Sequence, residues 1–225
     1  MINAHTVCHS QAWAKSGYRG AATRADQLLD KMESKYQAGD LELKPNSFTY
    51  NAVINALAKS GEPGAAARAE RVLQNMVNRH RAANDDVKPT TINFNTVLDA
   101  WAKSGGGRAA AERAEEILEW MDRLNKGGNN EVKPDTITFN AVLDAWARSG
   151  DRMAPRRAEQ ILDHMDDLYR SGNKGVKPDT YTYNTLVRNS ERDLPSNSLC
   201  VSNALSSLAY PWPWPPTDQC MGKVG

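Results

Sequence analysis

A Lys-Pro dipeptide returns along the chain at Lys44-Pro45, Lys88-Pro89, Lys133-Pro134 and Lys177-Pro178, a spacing of 44 to 45 residues. A fixed period of that size means one supersecondary unit stacked repeatedly on copies of itself. The residue after each proline is Asn46, Thr90, Asp135 or Asp179. Each of these side chains can accept a bond from a free backbone N–H, so each predicts the start of a helix. Apolar residues then follow at i, i+3, i+4 and i+7: Tyr50, Val53, Ile54, Leu57; Phe94, Val97, Leu98, Trp101; Phe139, Val142, Leu143, Trp146. The stripe closes at Ser-Gly in every copy, with Gly17, Gly61, Gly105 and Gly150 placed to end a helix in the left-handed conformation. A second stripe comes next: Ala25, Leu28, Leu29, Met32; Ala69, Val72, Leu73, Met76; Ala114, Ile117, Leu118, Met121; Ala158, Ile161, Leu162, Met165. From each of these methionines to the next capping residue the count is the same, so the loop is repeated along with the helices.

The pattern predicts an all-α chain of helical hairpins, here called helix A and helix B. Whole repeats are expected at 47–90, 91–135 and 136–179. A partial copy precedes them at 1–46, and the opening of another helix A follows at 180–190. Residues 191–225, rich in Ser, Asn and Pro and containing Tyr210-Pro211-Trp212-Pro213-Trp214, break the pattern and are expected to be a disordered tail. One hairpin cannot bury its own stripes, so the copies should stack into an α-α solenoid, whose long groove is where partners of such stacks lie.

One column does not fit a solvated helix. The residue after the helix-A aromatic is Asn51, Asn95, Asn140 and Asn184, although asparagine is a mediocre helix former and a merely wet position would drift. It lies about 100° round from the core stripe, in line with residues four away on either side. That line reads Ser47, Asn51, Asn55; Thr91, Asn95, Asp99; Thr136, Asn140, Asp144. Two uses compete: an amide turned outward to meet a partner, or an amide that braces one hairpin against the next.

The run Asp135-Thr-Ile-Thr-Phe-Asn-Ala-Val-Leu-Asp-Ala-Trp-Ala-Arg-Ser-Gly150 resembles the repeats of the pentatricopeptide repeat family, and the resemblance extends over residues 12–190. It implies a right-handed solenoid that binds single-stranded RNA at about one base per repeat. By the family's code, base-selecting pairs would be Asn51 with Thr90, Asn95 with Asp135 and Asn140 with Asp179. Asn184 and Asn46 are code residues whose partners are not assigned. Asn with Asp resembles a uracil reader, so uridine-containing RNA is the expected ligand; Asn with Thr leaves its base open. Bases would be sandwiched between Phe48, Ile92, Ile137 and Tyr181. The repeats are longer than the family's usual length of about 35 residues, and the surplus falls in helix B and the loop after it, away from the code positions. The family also implies a role in mitochondrial or plastid RNA processing, stability or translation, with other RNA-processing proteins as further partners.

Other readings of the residues are bland. A formal net charge of +1 supplies no bulk attraction for nucleic acid, so binding has to come from a local surface. The three cysteines, Cys8, Cys200 and Cys220, show no paired spacing and no disulfide framework is expected. His5, Cys8 and His9 have metal-like spacing but lack a fourth ligand, so no metal or other cofactor is expected. Gly105-Gly106-Gly107 is not followed by Gly-Lys-Ser/Thr and reads as a plain inter-helix turn. No nucleophile with a base and no deaminase signature is present, so an enzyme is not expected. No stretch is apolar enough to span a membrane, no targeting peptide is visible, and the chain is expected to begin inside a repeat and to act as a monomer. Arg68, Arg71, Arg79, Arg113, Arg156 and Arg157 on helix B are interleaved with acids and read as a solvated face. The competing function class is a tetratricopeptide-like scaffold that grips a protein segment in the same groove.

Overall fold

The structure is a computed structural model that describes residues 20–82 and 87–190. The Gly17 turn and the His5, Cys8, His9 group lie outside the described residues, as does the 191–225 tail. Eight α-helices follow one another among the described residues, with no strand. They are α1 (Ala21–Gln37), α2 (Ser47–Ser60), α3 (Ala65–Arg81), α4 (Thr91–Lys103), α5 (Gly107–Lys126), α6 (Thr136–Ser149), α7 (Ala154–Arg170) and α8 (Thr180–Ser190). The even-numbered helices are helix A of successive units and the odd-numbered ones helix B. Helices α2, α4, α6 and α8 lie side by side in one layer; α3, α5 and α7 each pack on the helix A before and the helix A after, and α1 packs on α2. The fold is thus a helical-repeat solenoid.

The capping residues do what their chemistry predicts. Asn46 Oδ1 accepts the Thr49 N–H at 3.0 Å, Asp135 Oδ1 the Thr138 N–H at 2.9 Å and Asp179 Oδ1 the Thr182 N–H at 2.9 Å. Thr90 opens α4 through a reciprocal box with Asn93, whose Oδ1 accepts the Thr90 N–H at 3.0 Å. At the other end Gly61 and Gly150 take φ values of 62° and 67°, a region costly for any residue with a Cβ.

Both stripes are in the core. Tyr50, Leu57, Phe94, Val97, Leu98, Phe139, Val142 and Leu143 are inaccessible to solvent, and so are Ala69, Leu73, Met76, Met121, Ala158 and Met165. Leu28 and Leu162 are only half-buried, because they sit at the margin of the helix-B stripe. The residue before each Lys-Pro adds a column that the periodicity did not announce. Leu43, Val87, Val132 and Val176 turn inward and plug the core where the loop passes, while Lys88, Lys133 and Lys177, which follow the three valines, are exposed. Lys44 and Lys177 are held extended, at ψ of 115° and 122°, as expected before proline.

The helix-B arginines are not simply a solvated face. Arg71 reaches across to Asp26 of the preceding unit at 2.8 Å, and Arg113 pairs with Glu70 of the preceding unit. Arg68 joins Glu62 at 2.7 Å, and Glu62 also accepts from Thr23 Oγ1 and the Gly20 N–H. These carboxylates are shielded by the neighbouring unit, which makes their cations specific clamps between repeats. The tryptophan column belongs to the same lattice: Trp101 Nε1 donates to Glu70 Oε2 at 3.0 Å and Trp146 Nε1 to Glu115 Oε1 at 2.7 Å. Trp146 is buried, whereas Trp101 keeps one edge in solvent, so it is only partly the core residue its register suggests.

Candidate nucleic-acid interface

Asn95 and Asn140 sit in nearly identical polar networks, each shared with the next unit. Asn95 Oδ1 accepts the Thr138 hydroxyl at 2.7 Å, and Asn95 Nδ2 donates to Asp135 Oδ1 at 3.2 Å. One unit further on, Asn140 Oδ1 accepts the Thr182 hydroxyl at 2.8 Å and Asn140 Nδ2 donates to Asp179 Oδ1 at 3.2 Å. Backbone donors fix the direction of these bonds. The Asp135 N–H donates to Thr138 Oγ1 at 3.1 Å and the Asp179 N–H to Thr182 Oγ1 at 3.0 Å, so each hydroxyl accepts from the main chain and turns its hydrogen away from it. The amide is therefore held with its oxygen towards the threonine and its nitrogen towards the carboxylate. Bonds donated by the Thr182 backbone N–H and by Asn140 hold the Asp179 carboxyl below its usual range.

Asn51 is held otherwise. The place of threonine is taken by Asn93, whose Nδ2 donates to Asn51 Oδ1, and whose own oxygen receives both the N–H and, at 2.9 Å, the hydroxyl of Thr90. Thr90 consequently faces Asn93, not Asn51. Asn184 on α8 is exposed, and Asn46 is committed to capping α2.

Of the two uses weighed for the asparagine column, the bonds of Asn95 and Asn140 show the bracing one: each amide spans two units. Asn51 and Asn95 are half-buried and Asn140 is 8% exposed. The rest of the line is more committed than its sequence suggests. Thr91 Oγ1 donates to the Lys133 carbonyl at 2.8 Å, Thr136 Oγ1 to the Lys177 carbonyl at 2.9 Å, and Ser47 Oγ accepts the Lys88 N–H at 2.8 Å. These bonds tie the long loop of each unit back to the start of its own helix A. Asp144 pairs with Arg148 at 2.7 Å and with Arg188 of the next unit.

Next to the amides stands a row of apolar side chains in water. Phe48 is 48% exposed, Ile92 74%, Ile137 65% and Tyr181 51%, one per helix A, each in the first turn. Large apolar groups repeated on one face without a covering partner mark a contact surface. The third-position column Thr49, Asn93, Thr138 and Thr182, all buried, was missed by the sequence reading although its signal was available as a polar residue three beyond each cap. A cation in the last turn of α2, α4 and α6, Lys59, Lys103 or Arg148, was missed too; it falls eight residues after the asparagine of its helix and continues the same line.

Among the described residues no helix is long and apolar enough to cross a membrane, and no group of three or more potential metal ligands is gathered. A family model described as a pentatricopeptide repeat domain matches residues 27–104 and 124–187, more than half of the chain. None of the curated proteins compared with the chain matches it.

Proposed function

The chain belongs to the pentatricopeptide repeat family, whose members are generally organellar RNA-binding proteins of helical-repeat fold, and from that premise we propose that it holds single-stranded RNA at one base per repeat. The observation that carries the reading is the coincidence, in each unit, of three features on one line: an oriented amide, an exposed apolar side chain one turn away, and a cation at the far end of helix A. The amide offers a donor and an acceptor to a base edge, the apolar groups a surface for a base face, and the cation a partner for phosphate.

In this reading Asn95 with Asp135 and Asn140 with Asp179 select uracil. The amide N–H not given to the carboxylate goes to a uracil carbonyl oxygen, and the ring N–H goes to a carboxylate oxygen. The bonds that reach Asp135 from Thr138 and Asn95 all end on Oδ1, which leaves Oδ2 for that task. Asn51 with Thr90 forms a third slot, Asn184 opens a fourth, and Asn46 belongs to the preceding unit. Phe48, Ile92, Ile137 and Tyr181 flank the bases. The protein acts as a monomeric, non-catalytic binder in the RNA processing, stability or translation of a mitochondrion or plastid.

The test is fluorescence anisotropy of the full chain with uridine, cytidine and adenosine homopolymers at one stated ionic strength. Tighter binding of oligouridine is expected, and Asn95→Thr with Asn140→Thr should move the preference towards guanine, as the family's code has it. Equal affinity for all homopolymers, unchanged by these substitutions, would refute base selection. Binding of no RNA would favour a peptide in the groove.

A further inference from the structure

The slot of Asn51 differs from the other two in a residue that lies outside the two-residue code. We propose that Asn93, buried behind Thr90, makes this slot select a base whose ring nitrogen is an acceptor, cytosine or adenine, where its neighbours select uracil; the inference rests on the RNA-binding reading above.

A backbone N–H can only donate, so the atom of Asn93 that faces the Thr90 N–H at 3.0 Å is its oxygen. Its nitrogen is then the atom that faces Asn51, and Asn51 must answer with its own oxygen. The Thr90 hydroxyl, 2.9 Å from Asn93 Oδ1, gives its hydrogen there. Among the described residues neither N–H of Asn51 has a partner, and Thr90 stands where the other slots hold a carboxylate. What faces an incoming base is a pair of amide donors. Cytosine N3 or adenine N1 can accept from one of them. On their Watson–Crick edges uracil and guanine can accept only at an exocyclic oxygen and would leave the ring N–H of that edge without the carboxylate that Asp135 and Asp179 supply in the other slots. An unpaired donor in a half-buried place disfavours them by about tenfold, equivalent to ~1.4 kcal/mol.

A second consequence separates Asn93 from a passive strut. With Thr90→Asp alone, a carboxylate oxygen would stand where the hydroxyl stands, against Asn93 Oδ1 with no hydrogen between them. Asn93 cannot turn round without placing its N–H2 against the backbone N–H of residue 90. Installing the aspartate is therefore insufficient to make a uracil slot; the exchange needs Asn93→Thr as well, which copies the arrangement of Asp135 and Thr138.

The experiment uses the full chain and RNAs with a three-nucleotide core, XUU or UUX, flanked by abasic spacers, with X each of the four bases. Both orders are included so that strand polarity need not be assumed. Unsubstituted protein should prefer C and A over U and G at X by about tenfold in one of the two orders. Asn93→Thr, a residue native to the equivalent positions 49, 138 and 182, should flatten that preference with the fold intact by circular dichroism. Thr90→Asp with Asn93→Thr should turn the preference to U, and Thr90→Asp alone should melt earlier than the pair and fall short of its uracil selection. Uracil preferred at X by the unsubstituted protein, or full conversion by Thr90→Asp alone, overturns the role of Asn93 while leaving the RNA-binding reading in place. No binding of UUU or of any other core removes that reading and this inference together.

Discussion

Replacing Thr138 by valine tests the polar network with little disturbance of shape, because the two side chains differ by a methyl in place of a hydroxyl. Thr138 is inaccessible to solvent, and its Oγ1 accepts the Asp135 N–H at 3.1 Å and donates to Asn95 Oδ1 at 2.7 Å. Valine leaves both groups without that partner. An unsatisfied group costs about 1–3 kcal/mol, and Asn95 is only half-buried, so water can reach it and the low end applies to each: roughly 2–4 kcal/mol in total. For a domain of this size 1 kcal/mol moves the midpoint by about 2–4 °C, which gives a fall in Tm of roughly 4–16 °C. The assay is thermal unfolding followed by circular dichroism, with Thr138→Ser as the variant that keeps the hydroxyl and should melt close to the unsubstituted protein. The Asn95 amide then keeps only its bond to Asp135, so uracil preference should weaken at its slot and persist at that of Asn140, which Thr182 still holds. A melting point within about 1 °C of the unsubstituted protein would refute the reasoning, since a loss of that size is below the cost of one buried orphan.

Trp146→Phe removes the indole N–H from Glu115 and opens a space in the core, and should cost roughly 2–4 kcal/mol in denaturant unfolding. Phe48→Ala and Tyr181→Ala, at exposed positions, should each lower RNA affinity by about 1–3 kcal/mol in anisotropy titrations while the melting temperature stays put. If Lys59, Lys103 and Arg148 each meet one phosphate, the logarithm of the binding constant should fall with that of salt concentration at a slope of about −2, and each substitution by alanine should reduce the slope by about 0.7. Carboxyl NMR titration should separate two acids. Glu115, raised by burial, is more basic folded than unfolded, so its contribution to stability is whole below the unfolded value and declines as pH climbs to the folded one; Asp179, lowered by the bonds it receives, contributes above its unfolded value and loses that contribution as pH falls through the folded one.

The helices were legible because periodicity and caps are local properties. Tyr50, Phe94 and Phe139 had to be buried whichever way the units stacked, and Asp135 caps α6 through an atom three residues away. The bonds between units were not legible, because they join residues some forty positions apart and depend on how the hairpins lie together. Asn93 looks in sequence like a loose match to Thr49, Thr138 and Thr182, yet it redirects Thr90 away from Asn51. Arg71 and Arg113 looked solvated, since their partners Asp26 and Glu70 belong to another unit. Leu43, Val87, Val132 and Val176 were hidden by their position in loops, where burial follows from the path of the chain over the core.

The carboxylates that draw their cations from the following unit bear on how such arrays could be recombined. A cut at each Lys-Pro would carry Glu70 away from Arg113 and Asn95 away from Asp135, so a transplanted hairpin would arrive with half of two junctions. The portable module is longer than one repeat: a graft running from Glu70 to Thr138 would carry both members of each of these junctions, and chimeras that keep both should express and melt like the parent where those spliced at the dipeptide do not.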